Sequence, residues 1–292
     1  MSLKAAEWNF VEMVRRRLES LSPTRLNIHR VGSLRADNPE RIRMIDLAGG
    51  MRVQFPQGFT PNGTSVQTAL RATYLSVSSA VNIMLGDIIE QQLTFVVPFD
   101  VVKQLVPNLH LCKAHWTQKK RKASGRPLGD LTIVDGTPLN TPETAAAAAK
   151  FYGDPTIEDT SKMICKLWVE LKERDPTAKW SRLRIWKMDL KGAYTLLSIR
   201  PEDVGLFGML LIGNLVYFQI AGIFGWAGTP AAFQVVTRAI TWELENCLHS
   251  ATLMYVDDII GVGVENEIKE DLRKTFARNS LVLKQSQTKR RK

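Results

Sequence analysis

Apolar residues recur at helical spacing near the start of the chain. In residues 6–21, Phe10, Met13, Val14 and Leu18 share one side while Arg15, Arg16 and Arg17 fall mostly outside it, which predicts an amphipathic helix. Gly49, Gly50, Pro56, Gly58, Pro61 and Gly63 then mark a loop-rich stretch. Residues 80–93 read as a second helix through Val81, Met84, Leu85, Ile88 and Ile89. From about residue 109 the texture changes to a strand, a basic loop (Lys119, Lys120, Arg121, Lys122) and a returning strand from Arg126. Thr141, Pro142 and Glu143 open a helix as N-cap, first-turn proline and dipole-matched acid, and the alanines at 145–149 carry it on. Ile157, Ile164, Leu167, Trp168 and Leu171 form the apolar face of a further helix closed by Asp175-Pro176. Residues 183–190 read as a mostly buried strand, and Gly192 permits a turn after it. Gly213-Asn214 breaks residues 206–219 into a hairpin. Thr229-Pro230 starts a helix through Phe233, Val236, Ile240, Leu244 and Leu248. A final hairpin surrounds Asp257-Asp258. Strand, hairpin, helix, hairpin predicts an α+β fold with an antiparallel sheet backed by helices.

Composition changes this picture little. Of the 292 residues 45% are hydrophobic and 23% charged, a globular balance. The net charge of +10 favours polyanionic partners, although many soluble proteins are basic. The three arginines of the first helix could contact nucleic acid, but a solvated helix face accounts for them more simply. Cys112, Cys165 and Cys247 are far apart and odd in number, so the chain is expected in a reducing, intracellular compartment, cytoplasm or nucleus. His110, Cys112 and His115 offer three zinc-type ligands with no close fourth. No secretory signal and no apolar stretch of membrane-spanning length is present, so no membrane partner is expected.

The chemistry concentrates in Met254-Tyr255-Val256-Asp257-Asp258-Ile259-Ile260. Apolar, β-branched-rich flanks favour strands and an Asp-Asp pair favours the turn between them, predicting a hairpin with two carboxylates at its tip. Such carboxylates suit a hard divalent cation, and Asp189 adds a third at the end of another strand. Taken singly, an Asp-Asp turn is more often merely solvated, and Asp189 could be a surface residue or a helix cap.

Together and in order, three stretches resemble the palm of reverse transcriptases. Lys187-Met188-Asp189-Leu190-Lys191-Gly192-Ala193-Tyr194 is similar to the family's first catalytic motif, and Phe224-Gly225-Trp226-Ala227-Gly228-Thr229-Pro230-Ala231-Ala232-Phe233-Gln234 to its second. Tyr255-Val256-Asp257-Asp258 is similar to the third. The resemblance covers residues 109–263, about half of the chain, and its style is that of a eukaryotic retrotransposon. It implies an N-terminal, element-specific and partly helical region (1–100), a fingers-like subdomain (101–178), a catalytic palm core (179–265) and a charged, disordered tail (266–292). The thumb is expected to be absent, the chain reading as truncated after the third motif.

The resemblance further implies template-directed DNA synthesis with two Mg²⁺ ions, Mn²⁺ being a substitute, on an RNA or DNA template-primer with dNTP substrates. Asp189, Asp257 and Asp258 would be catalytic and metal-holding, with the Leu190 carbonyl as a further ligand. Tyr194 would lie under the incoming sugar and exclude a 2′-hydroxyl; core packing is its alternative. Arg126 would lie against the triphosphate, with Lys119, Lys120 and Lys122 competing for the accompanying lysine. Phe224, Gly225 and Gly228 would belong to the loop approaching nucleotide or template. Gln234 would face the template, unless it is a surface amide. Phe224 departs from relatives that carry glutamine there. Rival readings are an inactive remnant that at most binds nucleic acid, an RNA-dependent RNA polymerase, and, more distantly, another kind of metal protein. The oligomeric state is open.

Overall fold

The computed structural model describes residues 3–21, 26, 31–55, 57–61, 93–106, 108–118, 125–132, 138–149, 155–190, 192–211, 214–247 and 251–264. The helix expected at 80–93, Lys119, Lys120, Lys122 and the tail from 266 lie outside the described residues. Among the described residues, helices and two sheets make an α+β fold, and the chain divides into two compact units.

The first unit comprises residues 1–26, 49–150 and 194–231. Its five-stranded sheet contains β1 (Thr94–Pro98), β2 (Leu111–Gln118), β3 (Gly125–Asp130), β5 (Gly208–Leu211) and β6 (Leu215–Gln219), in the order β1-β6-β5-β2-β3. The expected antiparallel pattern holds except at β2 and β5, which run parallel with Leu111 opposite Gly208. The β5–β6 hairpin turns at Asn214, whose φ of 62° is one that asparagine tolerates. Helix α1 (Leu3–Leu21) buries Phe10 and Val14, and the Phe10 ring meets Phe218 edge-on at 5.1 Å. Met13, expected on the apolar face, is 45% exposed. Arg15 pairs with Glu12 and Glu202, Arg16 with Glu12, and Arg17 lies over the Phe95 ring. α3 (Phe99–Leu105) follows β1, and α4 (Pro142–Ala149) is capped by Thr141, whose hydroxyl accepts the Thr144 N–H.

His110 is fully buried, 5.3 Å from the Phe59 ring centroid, and burial lowers its pKa to about 4. Unfolded, the imidazole takes a proton near pH ~6.5. Between these values the unfolded chain binds more protons. The contribution is therefore complete above about pH 6.5 and is lost as pH falls toward 4, by up to ~3 kcal/mol. Urea midpoints across this range should fall for the native chain and fall less for His110→Leu.

The second unit comprises residues 27–48, 151–193 and 232–292. Its three-stranded antiparallel sheet has the order β4 (Leu183–Asp189), β8 (Asp258–Val264), β7 (Ala251–Tyr255). α5 (Ile157–Arg174) starts with a capping box of Thr156 and Asp159. Its Met163 and Leu167 pack on Val262, and Leu171 packs with Val264 and Ala178. Ile157 is not on that face; it is 88% exposed in the first turn. α2 (Arg41–Ala48) and the segment before it are tied to α6 (Gly228–Cys247), within which the division between the units falls. Asn38 donates to the Ala239 carbonyl and to Glu243, and Glu40 receives Arg238 at 2.7 Å. Burial opposes ionisation of Glu40, yet Arg238 and Arg43 outweigh it and hold the carboxyl below its ordinary value.

Candidate active site

The strands that carry the acidic positions are placed by their own apolar residues. Leu183 and Val262 pack on α5, while Met254 and Ile259 are buried and sit opposite each other across β7 and β8. This fixes the register, since a one-residue slip would turn every side chain to the other face. In that register Asp189, the last residue of β4, lies directly opposite Asp258, the first of β8. Opposed residues of an antiparallel pair share a face, so positions 189 and 258 belong to the same face of the sheet. Just beyond the strand end, the N–H of buried Leu190 donates to the Asp257 carbonyl at 2.9 Å. Asp189, Leu190, Asp257 and Asp258 are thereby brought to one end of one sheet. The Asp189 side chain itself lies outside the described residues.

The hairpin differs from expectation in one respect. Tyr255 pairs with Asp258, so the two turn residues are Val256 and Asp257, and Asp258 already belongs to β8. Val256 has φ 54°, while Asp257 does not share a positive φ. A β-branched residue in the left-handed region is strained, and such strain gathers where side-chain placement matters more than stability. Thr237 of α6, buried, supports the turn by reaching the Val256 carbonyl with its hydroxyl at 3.3 Å. Val256→Asn, which accepts this conformation more readily, should raise stability by ~1 kcal/mol. A urea midpoint that does not rise would argue against strain at this residue.

A cation already stands at the acidic end. Lys187 Nζ lies 2.6 Å from Asp258 Oδ2, with the side chains 61% and 32% exposed. Lys187 is two residues before Asp189, so its strand position shares the face of 189 and 258. Carboxylate and carbonyl oxygens are the kind of donors that Mg²⁺ takes. Among the described residues no group of three or more His, Cys, Asp or Glu is placed to hold a metal ion, a description that does not extend to the Asp189 side chain.

The remaining nominated residues divide between the units. In the first, Tyr194 begins a short 3₁₀ turn and its ring lies 4.9 Å from that of Phe224, tilted by 45°. Both rings are half-buried. Gly225 (φ 104°) needs its hydrogen side chain for an internal reason: a Cβ there would lie 2.0 Å from the Gly129 carbonyl oxygen. At Gly228 a Cβ would enter the Trp226 ring. Arg126 is in β3, opposite Thr117, and its side chain lies outside the described residues. In the second unit Gln234 is 3% exposed on α6, so its buried amide is neither a surface group nor open to a template, contrary to both expectations. The Thr229 hydroxyl, expected as a helix cap, instead accepts the Ile223 N–H. The zinc-type residues separate: Cys112 is buried, with its thiol pushed well above its ordinary value by burial and by Asp130, whereas His115 is exposed and 3.7 Å from Asp130.

Lys187, Thr237 and Asn140 were not singled out by sequence. Strand periodicity could have found Lys187, which shares the parity of Asp189. Nothing local marks Thr237 or Asn140.

No protein-family model matches the chain, and no curated protein matches it either. Among the described residues no helix is long and apolar enough to cross a membrane.

Proposed function

We propose that this chain carries the catalytic core of a template-directed DNA polymerase of reverse-transcriptase type. The observation that supports it best is the register of β4 against β8, which sets Asp189 opposite Asp258 with Asp257 next to it in the turn. Nucleotidyl transfer needs such a meeting of anionic oxygens. The primer 3′-hydroxyl attacks the α-phosphorus, a new P–O bond forms, and the bond to pyrophosphate breaks. Two Mg²⁺ ions, or Mn²⁺, bound at these carboxylates would supply charge stabilisation to the attacking and leaving oxygens. Asp189 and Asp257 would hold the ions, Asp258 would assist, and the Leu190 carbonyl would add a ligand. Tyr194, with Phe224 against it, selects the sugar, and Arg126 receives the triphosphate. The chain acts on RNA or DNA template-primers inside the cell.

The test is primer extension by the purified chain with Mg²⁺, comparing dNTPs with NTPs. Extension with dNTPs is the expected result. Preference for NTPs would make the chain an RNA polymerase instead, and template binding with no extension would make it an inactive remnant; either outcome overturns the proposal.

A further inference from the structure

The loop that follows β6 is held in a manner its own sequence does not explain. Phe224 accepts the Gly129 N–H at its carbonyl (2.9 Å), and Gly225 lies against the Gly129 carbonyl with no room for a Cβ. The next contacts come from Asn140. Its Nδ2 donates to the Gly225 carbonyl at 2.6 Å, and its Oδ1 accepts the Ala227 N–H at 3.0 Å. Both ends of one amide are thus used on a single loop. The orientation is fixed, because exchanging oxygen and nitrogen would set acceptor against acceptor and donor against donor.

Asn140 is itself anchored on both sides. Its N–H donates to the Leu131 carbonyl at 3.0 Å, just past β3. Its neighbour Thr141 is bound into the first turn of α4 through Thr144. The amide therefore projects from a rigid corner between a sheet and a helix.

We infer that Asn140 is a positioning residue for the nucleotide subsite. Through its bonds to Gly225 and Ala227 it fixes the loop that follows Phe224, whose ring lies 4.9 Å from the Tyr194 ring. This inference rests on the role given to those two residues under Proposed function. Freed from the amide, the loop samples other conformations, and the aromatic pair is no longer preset when a nucleotide arrives. Losing preset geometry weakens binding in ground and transition states alike, so KM rises while kcat holds.

The experiment compares the native chain, Asn140→Ala and Asn140→Asp. Steady-state primer extension gives kcat and the KM for dNTP, and hydrogen exchange reports the Ala227 and Gly129 amides. In Asn140→Ala both hydrogen bonds are lost, so the KM should rise about tenfold with little change in kcat. Exchange should quicken at Ala227 while the far-ultraviolet spectrum and melting temperature stay near those of the native chain. In Asn140→Asp the acceptor for Ala227 remains but the donor to Gly225 does not, so Ala227 stays protected and the KM is intermediate. An active native chain with an unchanged KM in Asn140→Ala overturns the positioning role and leaves the polymerase reading standing. A native chain that never extends a primer overturns both the polymerase reading and the nucleotide role of Asn140. In that case the exchange data still decide the clamp: faster exchange at Ala227 upholds it, and unchanged exchange removes it.

Discussion

Asp257→Asn should lower primer extension on the order of 10³-fold or more, with the fold left intact. Loss of one transition-state electrostatic contact commonly has this size, and here the lost group is a full charge. The reason to expect an intact fold is specific. One structural bond made by residue 257 uses its backbone carbonyl, which accepts the Leu190 N–H, and asparagine keeps that carbonyl and nearly the same volume. Asp189→Asn should behave likewise, since position 189 enters the ladder through its backbone opposite Asp258. Asp258→Asn should in addition cost a little stability: it gives up the Lys187 pair, and exposed pairs are worth up to ~1 kcal/mol. Extension rates set beside circular dichroism and melting curves test this. A well-folded Asp257→Asn protein that still extends primers would remove the carboxylate from the mechanism.

The largest effect on stability is expected at Gly225. An alanine there must adopt φ near 104° and place a Cβ 2.0 Å from a backbone oxygen, that of Gly129. A flexible side chain could step aside; a strand carbonyl cannot without disturbing β3. Backbone strain of about 1–3 kcal/mol and overpacking of similar size should together cost ~4 kcal/mol. Gly58 is the matching control: its φ is 72°, yet nothing lies within 4 Å of its missing Cβ. Gly58→Ala should therefore cost only about 1 kcal/mol, from the left-handed backbone alone. Urea denaturation of the two variants separates collision from conformation. Equal losses would mean that the contact with Gly129 carries nothing.

Elements whose signals are local were legible. Apolar spacing located α1, α5 and α6, capping residues located α4, and Gly213-Asn214 located the β5–β6 turn. Where single residues departed, the causes are geometric. Met13 and Ile157 match a helical period but fall outside the packed faces. Elements defined by distant partners were not legible. β1 is a strand because Phe95 pairs with Phe218, and the segment around Glu40 is ordered by Arg238 far along the chain. For the same reason the β5–β6 hairpin joins β1 and β2, not the sheet of β4. At the candidate site, the acidic residues could be named from their motifs, but their register could not. The left-handed Val256 was hidden too, since valine carries no mark of such a turn. Asn140 acts across 85 positions of sequence, beyond the reach of any local pattern.

The single parallel pairing in the five-stranded sheet bears on how quickly the chain reaches its native state. Hairpins β2–β3, β5–β6 and β7–β8 join neighbours in sequence and can form within microseconds. Leu111 and Gly208 are separated by nearly a hundred residues, and closing that gap loses chain entropy before any contact rewards it. Thr94 and Gln219 are farther apart still, so refolding should be limited by the docking of β1 and of the β2–β3 hairpin onto the β5–β6 hairpin, and a circular permutant that brings these strands close in sequence should refold faster than the natural order.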